Sequence, residues 1–283
     1  MANFAEKSIN NLAGLDEFRG RTWLFRGEKN YGATSASKKA RSLETTLERF
    51  LRENNCELTT CNARKVEQTL LREFQRRYHH YSSSVPSSKL ALEWLSIMRH
   101  HGSPTRLMDF TYSVYIAAYF AVEHDDGNNC CIWGINRDWC FKEAANKLEQ
   151  RSLDGNWIEK PFESEKEEEK FSEYFFMDPP IDMVAPLNPF RLNQRITTQL
   201  GIFLCPGNVK KTFVENLEEL SGWNKEENIV KLVIPRKYRQ EFLVGLWEMN
   251  INRASLFPGL DGFAETLRVY HPIVAKVMRQ IDS

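Results

Sequence analysis

The feature that most constrains the fold is an apolar run, Val114–Val122. It has about half of the roughly 20 residues that a membrane-spanning helix needs, so we expect no membrane span. Helical propensity and a polar lead-in predict a helix over residues 113–123. Three residues could cap its N-terminus: Asp109, Thr111 and Ser113. Three small residues would let another element pack closely against it: Ala117, Ala118 and Ala121.

A chain of 283 residues with 42% hydrophobic and 27% charged residues can bury a sizeable core. The 38 basic residues equal the 38 acidic ones, which removes any global attraction for nucleic acid or membrane but leaves a local patch possible. The six cysteines lack Cys-x-x-Cys spacing, and the N-terminus has no apolar signal segment. We therefore expect a reduced, cytoplasmic protein.

Local patterns predict a mixture of strands and helices. Strands are expected at residues 22–25, which end in the turn Arg26-Gly27, and at 130–135, 202–205 and 229–234. Amphipathic or apolar helices are expected at residues 42–52, 63–81, 90–99 and in the tail after Lys237. The polar stretch 137–173 contains the charged run 163–170, whose mixed charge is typical of an exposed helix or a mobile insertion.

The densest polar group lies in residues 100–111, which are expected to form a loop before the apolar helix. Backbone N–H groups at a helix start favour an anion such as phosphate, so this loop could hold a nucleotide. A scaffold interpretation stays open, because Asp109 could cap the helix and Arg106 could pair with Asp109.

Three sequence blocks occur in order: Phe25-Arg26-Gly27, residues 99–111 (Arg-His-His-Gly-Ser-Pro-Thr-Arg-Leu-Met-Asp-Phe-Thr) and residues 117–121 (Ala-Ala-Tyr-Phe-Ala). They resemble the FRG domain family, which is named for its Phe/Tyr-Arg-Gly motif. Residues 195–203 and 256–262 resemble later family elements, whereas Met108 and Phe110 depart conservatively from the usual Leu-Leu-Asp-Trp. The resemblance implies a single domain over residues 1–283, with a core at about 20–206, a polar insertion at about 137–173 and a C-terminal strand and helices at 229–283.

The order of these blocks also resembles the layout of ADP-ribosyltransferases, an analogy of architecture. It implies an α+β fold in which a small β-sheet core, split into two sheets, is surrounded by helices and holds NAD in a cleft. The implied function is NAD-dependent ADP-ribosylation of a nucleic-acid, nucleotide or protein acceptor. The implied role is that of a bacterial toxin or anti-phage effector, and the implied partner is an antitoxin or regulator.

That analogy implies specific roles for residues. The catalytic candidates are Arg26, Asp109 and Gln199. The candidates for binding NAD, which serves as substrate, are Arg26, Gly27, His101, Thr105, Arg106 and Thr111. Gln199 stands where such enzymes often carry glutamate, and an amide can orient an acceptor but cannot take its proton. Asp109 is then the better candidate for a general base or ribose contact.

Three alternatives to this enzyme remain: a metal site, a nucleotide or nucleic-acid sensor, and a scaffold. A metal site built from His124, Asp125, Asp126, Cys130 and Cys131 matches no standard zinc spacing, so no metal is expected. A non-enzymatic nucleotide or nucleic-acid sensor would bind phosphates through Arg26, Arg106 and the basic stretch 38–77, and would stack bases on Trp23, Tyr31 or Tyr112. A pure scaffold would use the motifs only for its core.

Overall fold

A computed structural model of the chain describes residues 4–20, 22–31, 43–58, 62–125 and 127–269. Its seven strands form one sheet: β1 (Ala5–Ser8), β2 (Trp23–Tyr31), β3 (Met108–Thr111), β4 (Asn129–Asn136), β5 (Val184–Leu187), β6 (Gly201–Pro206) and β7 (Ile229–Ile234). The spatial order is β1-β7-β4-β2-β3-β6-β5. Only β1 and β7 pair in parallel among these strands, and the other neighbours are antiparallel.

Thirteen α-helices surround the sheet within the described residues. They are α1 (Thr46–Glu53), α2 (Ala63–Tyr78), α3 (Ala91–His100), α4 (Val114–Val122), α5 (Arg137–Glu149), α6 (Asn156–Glu159), α7 (Glu165–Glu168), α8 (Lys170–Phe175), α9 (Gln194–Thr198), α10 (Phe213–Glu218), α11 (Arg239–Glu248), α12 (Arg253–Leu256) and α13 (Leu260–Val269). Short 3-10 helices occupy Leu12–Phe18 and Arg236–Tyr238. The α+β class is confirmed.

The sheet is weakly joined between β2 and β3. These strands share a single pair in register, Phe25 with Thr111. By contrast, β2 is paired with β4 along most of its length, and all four residues of β3 are paired with β6. The expected two small sheets are thus one connected sheet in the described strands, made of a four-stranded and a three-stranded part that touch at one point.

The apolar helix α4 packs directly on β2, as its small residues predict. A Cβ atom added to Gly27 would lie 2.1 Å from the main-chain oxygen of Ala117 and 2.6 Å from the nitrogen of Ala121. No side chain fits in that space, so glycine is required there. The contact holds α4 against β2, one of the two strands at the weak junction of the sheet.

Several boundaries differ from those predicted. The first predicted strand does not end at Arg26, because β2 continues to Tyr31. Part of the expected loop 100–111 is β3, whose four residues pair with β6. The cap of α4 is Ser113, whose side chain accepts a hydrogen bond from the Ile116 nitrogen. Neither β1 nor β5 was predicted.

The charged run 163–170 includes the helix α7, one of the two predicted alternatives, but this helix is partly buried rather than exposed. Phe171 and Phe175 are buried and stack on each other at 4.6 Å between ring centroids. Glu168, in the most charged part, is fully buried and accepts hydrogen bonds from the main-chain nitrogens of Glu93 and Phe190, each at 2.8 Å. Aromatic residues between the charges hold this stretch in the core.

Four cysteines are buried free thiols: Cys130, Cys131, Cys140 and Cys205. Cys56 is disulfide-bonded, which differs from the expectation that all six cysteines are reduced. In the described part of the chain, no helix is both long and apolar enough to cross a bilayer.

Candidate functional site

Arg26 and Asp109, predicted to meet although they lie far apart in the sequence, line one cavity of about 200 Å³. Arg26 reaches across from β2, and its Nη1 donates a hydrogen bond to the main-chain oxygen of Asp109 on β3 at 2.8 Å. The cavity opens where the two parts of the sheet diverge from their one shared pair. We call it the arginine cavity, after the charged residues in its lining: Arg26, Arg99, Arg195 and Asp109.

Asp109 is ionised and held by an arginine. Its Oδ2 accepts hydrogen bonds from Nε and Nη2 of Arg99 at 2.8 and 2.5 Å. Burial alone would raise the pKa of Asp109, but the surrounding guanidinium groups, first that of Arg99, outweigh burial and hold this pKa below its ordinary value. The Asp109 side chain nevertheless keeps 33% of its surface exposed, so a ligand can reach it.

Arg195 comes from α9 and is held in place by the C-terminal part of the chain. Its guanidinium lies 5.1 Å from the ring centroid of Phe257, and Arg253 lies 3.8 Å from the same ring. Arg195 Nε also donates a long hydrogen bond, 3.4 Å, to Oε1 of Gln199. The ring of Phe257 thus lies in contact with two cations, one of which lines the arginine cavity.

Gln199 lines the arginine cavity but has little freedom to act there. Its Nε2 donates to the main-chain oxygen of Leu256 at 3.2 Å, its Oε1 accepts from Arg195, and the residue is only 8% exposed. Thr111, beside it, donates to the Gln199 main-chain oxygen at 2.7 Å. These bonds make Gln199 a link between β3, α9 and α12 rather than a free amide that could orient an acceptor.

A second, very small cavity adjoins the arginine cavity and shares Arg99, Asp109 and Arg195 with it. Its volume of about 20 Å³ is room for roughly one water molecule. His100 lines it, and burial, with help from neighbouring positive groups, lowers the pKa of His100 below its ordinary value. The imidazole is therefore neutral at neutral pH and able to accept a proton.

Three predicted NAD contacts do not reach the arginine cavity. Arg106 is 1% exposed, and its guanidinium pairs with Glu67, with Nε donating to both carboxylate oxygens at 2.9 Å. Thr105 is fully buried beside α1, where its main-chain oxygen accepts from the Leu47 nitrogen. His101 is exposed just after α3 and lines neither cavity. The structure thus places all three side chains outside the lining of the arginine cavity.

The remaining predicted residues are at the site. Gly27 lines the arginine cavity, although its contact with α4 shows a packing requirement rather than a role in binding. Thr111 also lines it, but its hydroxyl is engaged with Gln199 and the Ser113 nitrogen. Arg26 and Asp109 therefore keep the strongest candidacy.

Sequence reasoning missed Arg99 and Arg195 as site residues, and it included His100 in the polar stretch 100–111 without giving it a role. A signal for Arg195 was available, since Arg195 and Gln199 are four residues apart and face the same side of a helix. Arg99 and His100 begin the family block 99–111, in which the candidate residues were chosen from position 101 onward. The predicted pairing of Arg106 with Asp109 is wrong, because Arg99 occupies that place.

The alternatives gain little from the structure. The described residues contain no group of three or more His, Cys, Asp or Glu that could hold a metal ion. Asp126, the Tyr31 side chain and the basic residues Lys38, Lys39 and Arg41 lie outside the described residues. On α2, Arg76 and Arg77 pair with Glu73 and form a solvated face rather than an anion site.

Three guanidinium groups against one carboxylate leave an excess of positive charge in the arginine cavity. Burial lowers the pKa of both Arg26 and Arg195, which means that their charge is held in a poorly solvated place. Glu28 is near enough to offset part of this charge on Arg26 but does not line the cavity. Such a site favours an anionic ligand, and planar guanidinium groups match phosphate oxygens in particular.

Comparison with known families finds one match, to the FRG domain, over residues 21–130. Neither the curated proteins nor the solved structures contain a match to the chain. The matched range includes β2, α3, β3 and α4, and with them Arg26, Arg99 and Asp109. It ends before Arg195, so part of the cavity lining lies beyond it. The resemblance read from the sequence is confirmed, because residues 21–130 match the model of the FRG domain.

Proposed function

We propose that the protein is an ADP-ribosyltransferase that binds NAD in the arginine cavity. The observation that carries this proposal is the placement of an ionised, partly exposed carboxylate, Asp109, among three guanidinium groups where the sheet divides. An NAD molecule offers the matching groups, an anionic diphosphate next to a ribose that becomes cationic during reaction.

The proposed chemistry follows from these charges. When the bond between nicotinamide and ribose breaks, nicotinamide leaves with the electron pair and the ribose gains oxocarbenium character. Arg26 and Arg195 would hold the diphosphate, while the Asp109 carboxylate would stabilise the developing cation. The lowered pKa of Asp109 suits this electrostatic role and makes Asp109 a poor general base.

A proton must also leave the acceptor when its nucleophile attacks the ribose. His100 supports this step better than Asp109 or Gln199, since its imidazole is neutral and lines the small cavity that shares Asp109 with the arginine cavity. The proposal therefore transfers the role of base from Asp109 to His100. The acceptor would be a nucleic acid, a nucleotide or a protein.

The size of the arginine cavity limits how much of NAD it can enclose. Ligand pockets usually measure about 300–1,000 Å³, whereas this cavity measures about 200 Å³. The proposed complex therefore encloses the diphosphate and one ribose, and the rest of the dinucleotide lies over the open mouth. The biological role that accompanies this activity is that of a cytoplasmic toxin or anti-phage effector, which a partner antitoxin could restrain.

A second candidate, a nucleotide-binding module without turnover, rests on one observation. Asp109 is tied to Arg99 by two hydrogen bonds and Gln199 is tied to Leu256, so both predicted catalytic groups are engaged before any ligand arrives. In this version the guanidinium groups bind the phosphates and the ion pair only shapes the cavity.

Turnover separates the two candidates. Purified protein is incubated with NAD labelled in the adenine part, together with DNA, RNA and protein acceptors, while released nicotinamide is measured. The enzyme releases nicotinamide and labels an acceptor, and Arg26→Ala and Asp109→Ala abolish both. Arg76→Ala, which removes an exposed arginine paired with Glu73, serves as the matched control and keeps full activity. Protection against heating by NAD without any product would support the binding module instead.

A further inference from the structure

A larger groove lies near the arginine cavity, around residues that the proposed chemistry does not use. Its volume of about 570 Å³ falls within the usual range of about 300–1,000 Å³ for ligand sites. We call it the aromatic groove, after the rings in its lining: Tyr112, Phe141, Phe162 and Phe190. Tyr112 directly follows Thr111, which lines the arginine cavity, so the two sites lie at the same end of β3.

The groove presents flat apolar surfaces that its own protein does not cover. Phe190 is 40% exposed and Leu192 is 49% exposed, both at the same lining. Three prolines, Pro161, Pro186 and Pro189, form much of the remaining wall and have little conformational freedom to lose when a ligand binds. One exposed ring, that of Phe190, and three partly buried rings in a rigid concave surface favour a flat, ring-shaped ligand over a flexible one.

One buried side-chain polar atom among the described lining residues has no hydrogen-bond partner. Asn188 lines the groove, its Nδ2 donates to the main-chain oxygen of Gly201 at 3.1 Å, and its Oδ1 is buried without a hydrogen bond in the described part of the chain. The bond to Gly201 fixes the orientation of the amide, since a flipped amide would set two oxygens against each other. A buried acceptor without a donor is costly, so a ligand carrying an N–H group would be favoured here.

The charges at the rim add a third requirement. Arg137 is already paired with Asp138, its neighbour in the lining. Lys160 is exposed and makes no ion pair with the residues that the structure describes. The groove thus offers one uncommitted cation beside its rings, which suits an anionic group attached to a flat ring.

We propose that the aromatic groove binds a nucleobase that carries an exocyclic amino group, as adenine and cytosine do. The amino group donates to Oδ1 of Asn188, the ring packs against Phe190 and a phosphate lies beside Lys160. This site goes beyond the proposed function, because it requires neither NAD cleavage nor the arginine cavity. The base could belong to a free nucleotide or to an unpaired nucleic-acid strand.

Calorimetric titration of the full chain tests the role of the amino group and the source of the base. We expect AMP to bind, and purine riboside monophosphate, which lacks the amino group, to bind at least about five-fold more weakly. A short oligoadenylate that binds more than ten-fold more tightly than AMP identifies a strand as the source, whereas equal affinity identifies a free nucleotide.

Variants test where the base binds. Phe190→Ala should weaken AMP binding by about five-fold or more, because stacking on one base is worth that much or more. Lys160→Ala should also weaken AMP binding by about five-fold or more, because it removes the cation proposed to lie beside the phosphate. Tyr81→Ala, which removes an 85% exposed aromatic residue outside the groove lining, should leave the affinity unchanged. The loss of AMP affinity caused by Phe190→Ala should be the same when Arg195→Gln is also present, and this separates the groove from the arginine cavity.

Each of the following results would overturn the proposal. Neither AMP nor oligoadenylate binds at millimolar concentration, or Phe190→Ala binds AMP as tightly as the unmodified chain, or Arg195→Gln abolishes AMP binding. Competition of AMP by an apolar peptide that itself binds more tightly would also overturn it, by making the groove a peptide site. Equal binding of AMP and purine riboside monophosphate would remove Asn188 from the recognition and with it the proposed base specificity.

Discussion

The chain contains two arginine–carboxylate ion pairs that have the same chemistry but differ in their surroundings. Arg106 and Glu67 are sealed in the core, with side chains 1% and 0% exposed. Arg99 and Asp109 are only partly covered, at 18% and 33%, and line the arginine cavity. The first pair holds elements together, whereas the second leaves charge within reach of a ligand.

The sealed pair also shows why a polar motif need not be a binding site. Arg106 donates to the main-chain oxygens of Phe175, Pro206 and Gly207 as well as to Glu67. Every direction of its guanidinium is occupied, and Phe176 lies 5.1 Å away against its face. Asp109, by contrast, gathers more positive charge than it neutralises. The two pairs therefore differ in the excess positive charge around the carboxylate as well as in their exposure to solvent.

Breaking the sealed pair should have the largest effect. Glu67→Ala leaves the Arg106 guanidinium buried without its counter-ion, which should cost about 3–5 kcal/mol of the free energy of unfolding. Chemical denaturation would measure this loss. Replacing both partners, as Glu67→Leu with Arg106→Met, should recover most of the stability, since a buried pair replaced by apolar residues is often neutral. Stability retained by the single variant would show that Arg106 is not sealed.

Asp109→Asn should spare the fold and remove the function. The pair with Arg99 is partly exposed, so its loss should cost about 1 kcal/mol of unfolding free energy. Nicotinamide release should fall by about 100-fold or more, because the carboxylate is the group proposed to stabilise the cation. Measurements of melting temperature and turnover on the same samples compare the effect of Asp109→Asn on stability with its effect on activity. A large loss of stability with unchanged specific activity would show that the Arg99–Asp109 pair is structural, which contradicts the role proposed for it.

The pH dependence of stability should differ between the unmodified chain and Asp109→Asn. The pKa of Asp109 is lowered in the folded state, so its contribution is present above the ordinary value of 3.8 and is lost as the pH falls through the folded value. The stability difference between the two proteins should therefore be constant from pH 5 to about 7 and shrink below about 3.8. A difference that grows on acidification would contradict the lowered pKa.

The smallest effect should come from loosening Arg195. Phe257→Leu removes the ring that contacts Arg195 and Arg253, a contact worth about 0.5–1 kcal/mol. We expect NAD to bind about two- to five-fold more weakly, as measured by calorimetry. Phe263→Leu provides a matched change on a 49% exposed ring of α13 and should leave NAD binding unchanged. Equal effects of the two substitutions would remove the positioning role of Phe257.

Some of this organisation was readable from local sequence. The small residues of α4 predict that another element packs closely against this helix, and the structure shows such a contact at Gly27 of β2. The strands at 202–205 and 229–234 also follow from their β-branched and apolar residues. The meeting of Arg26 and Asp109 came from family resemblance, since no local pattern connects residues that far apart.

Other features depend on contacts that local patterns do not contain. Arg106 finds Glu67 39 positions earlier, on a helix whose charge pattern reads as solvated. Strand β3 has four residues and follows a loop with Gly102 and Pro104, so turn signals outweighed its short apolar pattern. Strand β5 contains Pro186, which usually argues against a strand, and it is tolerated because β5 lies at the edge of the sheet.

The most direct test of the central claim is a crystal structure of the protein with NAD bound. In this complex, we expect diphosphate oxygens within hydrogen-bond distance of Arg26 or Arg195, and a ribose beside the Asp109 carboxylate. A nucleotide bound away from the arginine cavity, with the Arg99–Asp109 pair untouched, would contradict it.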